Sequence, residues 1–317
     1  MVSMVCTGCR SCLARGYRVR DSPIVHAARD VTAVAFRGDV RHFPVMTGPL
    51  ITLEVHGGLL AARQAGAAAL ECSLDLGRST TTVEVGGDGW TWQGRRYPYL
   101  DGCKPRTIYH WTGAEFDPVA RFSGSLFKLV PTEWGAPTFE IDGIKMLPTS
   151  QVSPYEDARS KVALVRPRGK VVLDTCAGLG YFAAWCLEGG AARVLSFEKH
   201  ADVLWLRSLN PWSPAPDPRL SLAGGDIALE IAGMPDASVD AVLHDPPRFG
   251  IAGELYSQSF YGQLARVLRR RGLLFHYTGN PNALTSGRDV PREVARRLRE
   301  AGFDVELSGD GVLGRRR

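Results

Sequence analysis

The second half of the chain keeps returning to one pattern: a short apolar run, a polar or acidic residue at its end, then a helical stretch. The apolar runs read as strands over Lys170–Asp174, Arg193–Glu198, Leu220–Gly224, Val239–Asp245 and Gly272–Tyr277. Helical stretches lie between and after them at Gly180–Glu188, Ala201–Leu209, Ser257–Arg269 and Arg292–Ala301, and two late strands follow at Phe303–Leu307 and Gly311–Arg315. A strand that is apolar on successive residues needs cover on both faces. Its alternation with helices therefore dictates a mostly parallel, seven-stranded sheet with helices on either side, a Rossmann-like α/β architecture.

Upstream the texture is different. Leu70–Leu76 and Thr80–Val85 flank Gly77-Arg78-Ser79, a hairpin signal. Trp90-Thr91-Trp92, Ile108–Trp111 and Leu126–Val130 are short alternating or aromatic runs punctuated by Gly, Pro and Asp, and Leu59–Ala69 is the one Ala-rich stretch that suits a helix. These features predict a small antiparallel β-rich domain of five to seven strands over residues 47–150, ahead of the α/β domain at 151–317. Residues 1–46 show no such periodicity and read as a disordered extension or a chain started too early, with Met46 an alternative start. Cys6, Cys9 and Cys12 form a C-x-x-C-x-x-C cluster. Three adjacent thiols fall short of the four ligands that zinc or iron–sulfur sites usually take, so no metal is expected.

Composition removes other classes. With 44% hydrophobic and 22% charged residues the chain is not disordered as a whole. It has no run of 18 apolar residues and no signal-peptide pattern, and its seven cysteines are odd in number and scattered, so a reduced cytoplasmic protein away from membranes is expected. The net charge of +5 divides unevenly: +4 over residues 1–46, +6 over 266–317 and −5 between them. The total is therefore no argument for nucleic acid. The cluster Arg266, Arg269, Arg270 and Arg271 is expected to close a helix in solvent, where cations suit the helix dipole.

Ligands of open α/β sheets bind beyond the carboxyl ends of the strands. The first strand ends at Asp174, followed by Thr175-Cys176-Ala177-Gly178-Leu179-Gly180. Those glycines permit a tight turn whose backbone can approach a ligand at the start of the next helix. The second strand ends at Glu198, an acid suited to a ribose diol, and the third at Asp226, suited to an adenine amino group. The fourth runs into His244-Asp245-Pro246-Pro247-Arg248-Phe249, where two prolines stiffen a loop at the same face. Four acids at four successive strand ends suit a pyrophosphate poorly and a cationic nucleoside well. S-adenosyl-L-methionine, with its sulfonium, ammonium, ribose and adenine, matches that polarity. His244 is expected inside the sheet, His276 and Tyr277 are candidates to line the pocket, and Cys176 is expected to pack beside the cofactor rather than act as a nucleophile.

Residues 155–317 resemble the class I S-adenosylmethionine-dependent methyltransferases. The runs VVLDTCAGLGYFA, NPWS at Asn210–Ser213, HDPPRFGIAGELYSQSFYGQLARVL and GLLFHYTGNP resemble more closely a family of predicted archaeal-type methyltransferases, and SLDLG and PTFEIDGIKM extend the likeness to about residue 70. The resemblance implies that Asp174, Ala177, Gly178 and Gly180 hold the methionyl end of the cofactor, Glu198 the ribose and Asp226 the adenine edge. It implies that Asp245, Pro246, Pro247, Arg248 and Phe249 face the methyl acceptor. The usual signature of amino-methyltransferases has an aromatic residue where Arg248 stands, so methylation of a base amine is one option among several. RNA, a protein side chain and a small amine stay open as acceptors, and a homodimer stays open as the assembly. The helix ELYSQSFYGQLARVL also resembles spermidine synthases, which makes an aminopropyltransferase the competing expectation. Against it stand the absence of a second Asp after Asp245 and a glycine loop of different composition.

Overall fold

The computed structural model describes residues 48–279 and 289–317. The chain first makes short strands: β1 (Leu50–Ile51), β2 (Ala69–Cys72), β3 (Thr81–Val85), β4 (Trp90–Trp92), β5 (Arg95–Tyr97) and β6 (Tyr109–Trp111). They continue with β7 (Phe116–Pro118), β8 (Ala120–Phe122), β9 (Leu126–Val130), β10 (Thr138–Ile141) and β11 (Ile144–Lys145). They pair into three antiparallel sheets, β1-β6-β7, β2-β3-β4-β5 and β11-β10-β9-β8. The sequence predicts five to seven strands here. The additional ones are two or three residues long, too short to show a period of two. Helix α1 spans Leu53–Gln64, not 59–69, because the Thr52 hydroxyl accepts the Val55 N–H and Glu54 sits in the first turn.

A helix that the alternation did not reveal, α2 (Pro154–Val165), leads into the large sheet. Ser153 caps it, Pro154 opens it, and Glu156 and Asp157 occupy its first turn. Then come β12 (Val171–Asp174), α3 (Tyr181–Glu188), β13 (Arg193–Glu198), α4 (Ala201–Ser208), β14 (Leu220–Gly224) and the short α5 (Ile227–Glu230). The chain continues through β15 (Val239–His244), α6 (Gln258–Val267), β16 (Leu268–Tyr277), α7 (Val290–Glu300), β17 (Phe303–Ser308) and β18 (Gly311–Arg316). The strand order is β14-β13-β12-β15-β16-β18-β17. The first five run parallel and β18 runs antiparallel to both of its neighbours. This is a Rossmann-like, mostly parallel seven-stranded sheet.

Alternate residues of the central strands enter two cores, as the pleat requires. Val172, Val194, Ala241 and Leu243 face α2, α3 and α4. Val171, Leu173, Leu195 and Val242 face α5, α6 and α7, whose Val290, Val294 and Leu298 repeat at helical spacing. The first core does not stop at the helices. Leu50, Leu76, Ile108, Phe127, Leu129 and Phe139 of the β-rich stretch belong to it, and all the described residues lie in one compact unit, Phe36–Arg317. Arginines 269–271 do not close a helix. Helix α6 ends at Val267, and the arginines open β16, where the pairing with β15 shifts register between Val239 and Ala241.

Candidate functional site

The glycine loop is stitched across three strand ends. Thr175 donates its N–H to Leu243 O at 3.1 Å, Ala177 to Phe197 O at 2.8 Å, and Gly180 to Ala177 O at 2.8 Å. Gly178 and Gly180 have φ of 50° and 84°, a region that glycine enters without strain, and Gly180 caps α3.

Asp174, 1% exposed, ends β12 beneath this loop. Its Oδ2 accepts from the Ser196 hydroxyl at 2.6 Å, while Oδ1 is buried and has no hydrogen-bond partner. Burial pushes the carboxyl up to about 6, against the Ser196 bond and the charge of Arg207. Glu198 grips the loop from the side: one oxygen accepts the Gly178 N–H at 2.9 Å and the other the His200 N–H at 3.0 Å. Burial raises its pKa and those two backbone bonds oppose the rise. Asp226 caps α5 through the Ala228 N–H at 3.0 Å, and its other oxygen lies 2.7 Å from Lys199 Nζ. The sequence offered Asp226 as an unengaged acceptor, whereas Lys199 already holds one oxygen.

At the fourth strand end Asp245 is half-buried, and its carboxyl is pushed up to about 6 by burial, opposed by the charge of Lys161. Lys161, from α2, is buried; its Nζ lies 2.7 Å from Asp157 Oδ2, 3.7 Å from Asp310 Oδ2 and 3.8 Å from the centre of the Tyr277 ring. Burial works to discharge the ammonium, but Asp245, Asp157 and Asp310 outweigh it and raise its pKa. Pro246 is buried, and Pro247 O accepts from the Tyr256 hydroxyl at 3.1 Å. Arg248 fixes the following turn through its carbonyl, which accepts from Ile251 N at 2.7 Å, and its side chain makes no ion pair among the described residues. Phe249 turns edge-on to Tyr256, ring centres 5.4 Å apart, and packs against the second core.

The two histidines are structural. His244 is fully buried, with Nδ1 2.7 Å from the Thr175 hydroxyl and Nε2 3.1 Å from Leu255 O. A carbonyl only accepts, so Nε2 carries the proton and Nδ1 accepts from Thr175. Burial and the neighbouring His276 hold its pKa well below 6.5. His276 does not line a pocket: it is fully buried, it accepts from the Tyr261 hydroxyl at 3.0 Å, and burial depresses its pKa to about 4. Tyr277 alone of that pair reaches the acid cluster, and burial with the charge of Asp245 pushes its hydroxyl up to about 12. Burial, reinforced by Glu198, holds the Cys176 thiol protonated, which suits packing and not attack. Cys6, Cys9, Cys12 and Met46 lie outside the described residues.

Sequence reasoning missed Arg207, Lys161, Lys199, Asp157 and Asp310. Arg207 rises from α4 to the underside of the glycine loop. It is 6% exposed, and its Nη1 has no hydrogen-bond partner. Burial pulls its pKa down to about 10, against the charges of Asp174 and Glu198. Its signal is a lone arginine on the apolar face of α4, beside the buried Val203, Leu204 and Leu206. The NPWS run braces the same loop. Asn210 donates to the Tyr181 hydroxyl at 3.1 Å, Ser213 to Leu179 O at 2.9 Å, and the Trp212 indole to Leu76 O at 3.0 Å. A cleft of about 860 Å³ opens one layer away, between the β-rich stretch and α4–β14. Arg207 lines it, but the strand-end acids do not. The backbone of the glycine loop converges instead on Asp174 and Glu198.

Asp174, Gly178, Gly180 and Glu198 are thus brought together as one cradle, with Asp226 at its edge and Asp245 across from it. The fold is shared with a spermidine synthase solved in complex with the transition-state analogue AdoDATO, at a TM-score of 0.52 and 16% identity, covering 62% of this chain and 72% of that one. A methyltransferase structure from Mesorhizobium loti, described as dependent on S-adenosylmethionine, also matches, at a TM-score of 0.39 and 15% identity, over 50% of this chain and 96% of that one. No family model matches. In sequence, 198 residues are 42% identical to an uncharacterised protein of Methanocaldococcus jannaschii, covering 62% of this chain and 68% of that protein. The chain belongs to the same family as that archaeal protein. Among the described residues no helix is long and apolar enough to cross a membrane.

Proposed function

We propose that the chain is an S-adenosylmethionine-dependent methyltransferase. The observation that carries this reading is the unpartnered Oδ1 of Asp174. A buried carboxylate oxygen without a donor costs several kcal/mol in an apoprotein and is satisfied by an incoming ammonium. Beside it the Phe139 ring lies over Gly178, 3.6 Å from where a Cβ would stand, and walls this side of the loop. The donor set therefore fits the cofactor: Asp174 takes the ammonium, the backbone at Ala177, Gly178 and Gly180 the methionyl chain, Glu198 the ribose and Asp226 the adenine edge. When bound, the cofactor supplies an electrophilic methyl on a sulfonium.

The chain's own part is positioning and dehydration. Asp245, with a pKa near neutrality, accepts a proton from the acceptor nucleophile, and Lys161 keeps it charged enough to do so. The stiff Pro246-Pro247 turn holds that carboxylate toward the cradle, and Arg248 and Phe249 form its outer wall.

One observation favours the aminopropyltransferase reading. The second acid missing from the loop after Asp245 is supplied in space by Asp157 and Asp310, around Lys161. Calorimetric titration of the protein with S-adenosylmethionine and with its decarboxylated form separates the two, with Asp174→Ala as the control. Tighter binding of the intact cofactor, lost at least tenfold in Asp174→Ala, is expected. Tighter binding of the decarboxylated form transfers the site to aminopropyl transfer, and binding of neither sinks both readings.

A further inference from the structure

The arginines that the sequence placed at a helix end form, in the structure, part of a larger basic surface at the opposite pole from the acids. Strand β18 returns antiparallel beside β16, so that Arg315 pairs with Leu273 on one side and Asp304 on the other. This brings the run Arg315–Arg317 alongside Arg269–Arg271, more than forty residues earlier in the chain. Arg299, at the end of α7, joins them, its carbonyl accepting from Arg317 Nη2 at 3.4 Å.

The carboxylates at this pole are already taken. Asp236 is held by Arg266, Asp240 by Arg269 and Asp304 by Arg317. Arg270, Arg271, Arg299 and Arg315 are exposed and make no ion pair among the described residues. Arg316 donates only to the carbonyls of Ala265 and Gly302, which leaves its charge unneutralised. Arg315 stands opposite Asp304 in the ladder and Arg316 on the other face of β18, yet the arginines of this pole outnumber its carboxylates, and a polyanion laid across it would neutralise the excess.

We propose that this ledge docks a structured RNA through its phosphate backbone. The surface consists of the start of β16, the end of β18 and the end of α7, with no protruding helix among the described residues to enter a major groove, so it suits recognition by charge and shape. Among the described residues, the large exposed aromatic and aliphatic side chains that entering a bilayer would need do not lie next to these arginines in the sequence. Six residues of strand β16 separate Arg271 from Tyr277 at the acid end, roughly 20 Å, so a bound RNA is anchored away from the acids.

The test is fluorescence anisotropy of a labelled RNA hairpin with the full chain over a salt series. Neutralising about five phosphates gives a slope of log K against log salt of roughly −3.5 to −4.5. Arg270→Glu/Arg271→Glu is expected to weaken binding at least tenfold and to flatten the slope, and Arg315→Glu on the neighbouring strand to act in the same direction. Arg95→Glu/Arg96→Glu, with the same change in net charge on β5, should leave binding within about twofold, and so should Asp174→Ala. Equal losses in the two double variants, no loss in the first, tighter binding of duplex DNA, or preferential binding to phosphatidylserine vesicles would each overturn the proposal.

Discussion

Gly180→Ala is the sharpest perturbation of the cradle. A Cβ built there lands 2.5 Å from Arg207 Cζ and 2.8 Å from both Nε and Nη2, on a backbone with φ of 84°. The left-handed conformation costs a non-glycine residue about 1–2 kcal/mol. Overpacking against the buried Arg207 guanidinium, which would have to give up its place under the loop, adds about 1–3 kcal/mol. The sum, about 2–5 kcal/mol, corresponds to a Tm lower by roughly 5–15 °C for a protein of this size. Gly178→Ala separates the two contributions: its φ is also positive, at 50°, but its Cβ meets only the Phe139 ring at 3.6 Å, so it should lose the backbone part alone. Urea unfolding of Gly180→Ala, Arg207→Met and the pair completes a cycle, with an expected coupling of about 1–3 kcal/mol because a thioether side chain lacks the obstructing guanidinium atoms. A loss below about 1 kcal/mol in Gly180→Ala, or simple additivity in the double variant, refutes the claim that the loop rests on the guanidinium.

Other expectations follow from the buried ionisable groups and the brace. Asp174 titrates near 3.8 when unfolded and about 6 when folded, so the unfolded chain releases its proton first as pH rises. Stability from this group therefore declines between about pH 4 and 6, by up to ~3 kcal/mol, and Asp174→Asn should abolish that decline in a Tm-against-pH series. His276 has the opposite sign: its pKa falls from 6.5 to about 4 on folding, so stability is lost as the pH drops through that window. His276→Gln should flatten the acid limb, and imidazole NMR shifts should show a neutral ring at pH 5. Asn210→Ala removes the contacts to Tyr181 and Trp212 and should lower stability by about 1–3 kcal/mol, read by urea unfolding. It should also weaken cofactor binding, because the start of α3 loses its anchor.

The sheet was legible because each parallel strand is an uninterrupted apolar run, and Arg193–Glu198 and Leu220–Gly224 are observed with those limits. The short strands of the β-rich stretch were not, since Phe116–Pro118 or Ile144–Lys145 carry no pattern that a sequence can display. Helix α2 had its signals in Ser153, Pro154 and the acids after them, and its buried Pro154, Ala158, Val162 and Val165 repeat at helical spacing, but small residues and the charged Lys161 on that same face hide the apolar stripe. The acids at the strand ends could be read one by one because each ends its own run. Their partners could not. The charge of Lys161 acts on Asp245, and that of Arg207 on Asp174, because packing brings together elements far apart in the chain, and single-chain spacing does not encode such neighbourhoods. The arginine ledge is the same case: its two halves join only because the last strand runs backwards.

The brace built by Trp212, Tyr181 and their carbonyl partners has a consequence for modularity. Trp212 is bonded to Leu76 and Tyr181 to Pro137, while Phe139 lies over the loop at Gly178. The β-rich stretch is thus a wall of the glycine loop and shares the first apolar core. Cutting the chain near residue 150 would strip that wall away and leave the indole, the phenol and the first apolar core facing water. The α/β half is therefore not a transplantable cassette, and an exchange of N-terminal halves between relatives would have to carry the hairpin loop and the NPWS turn together.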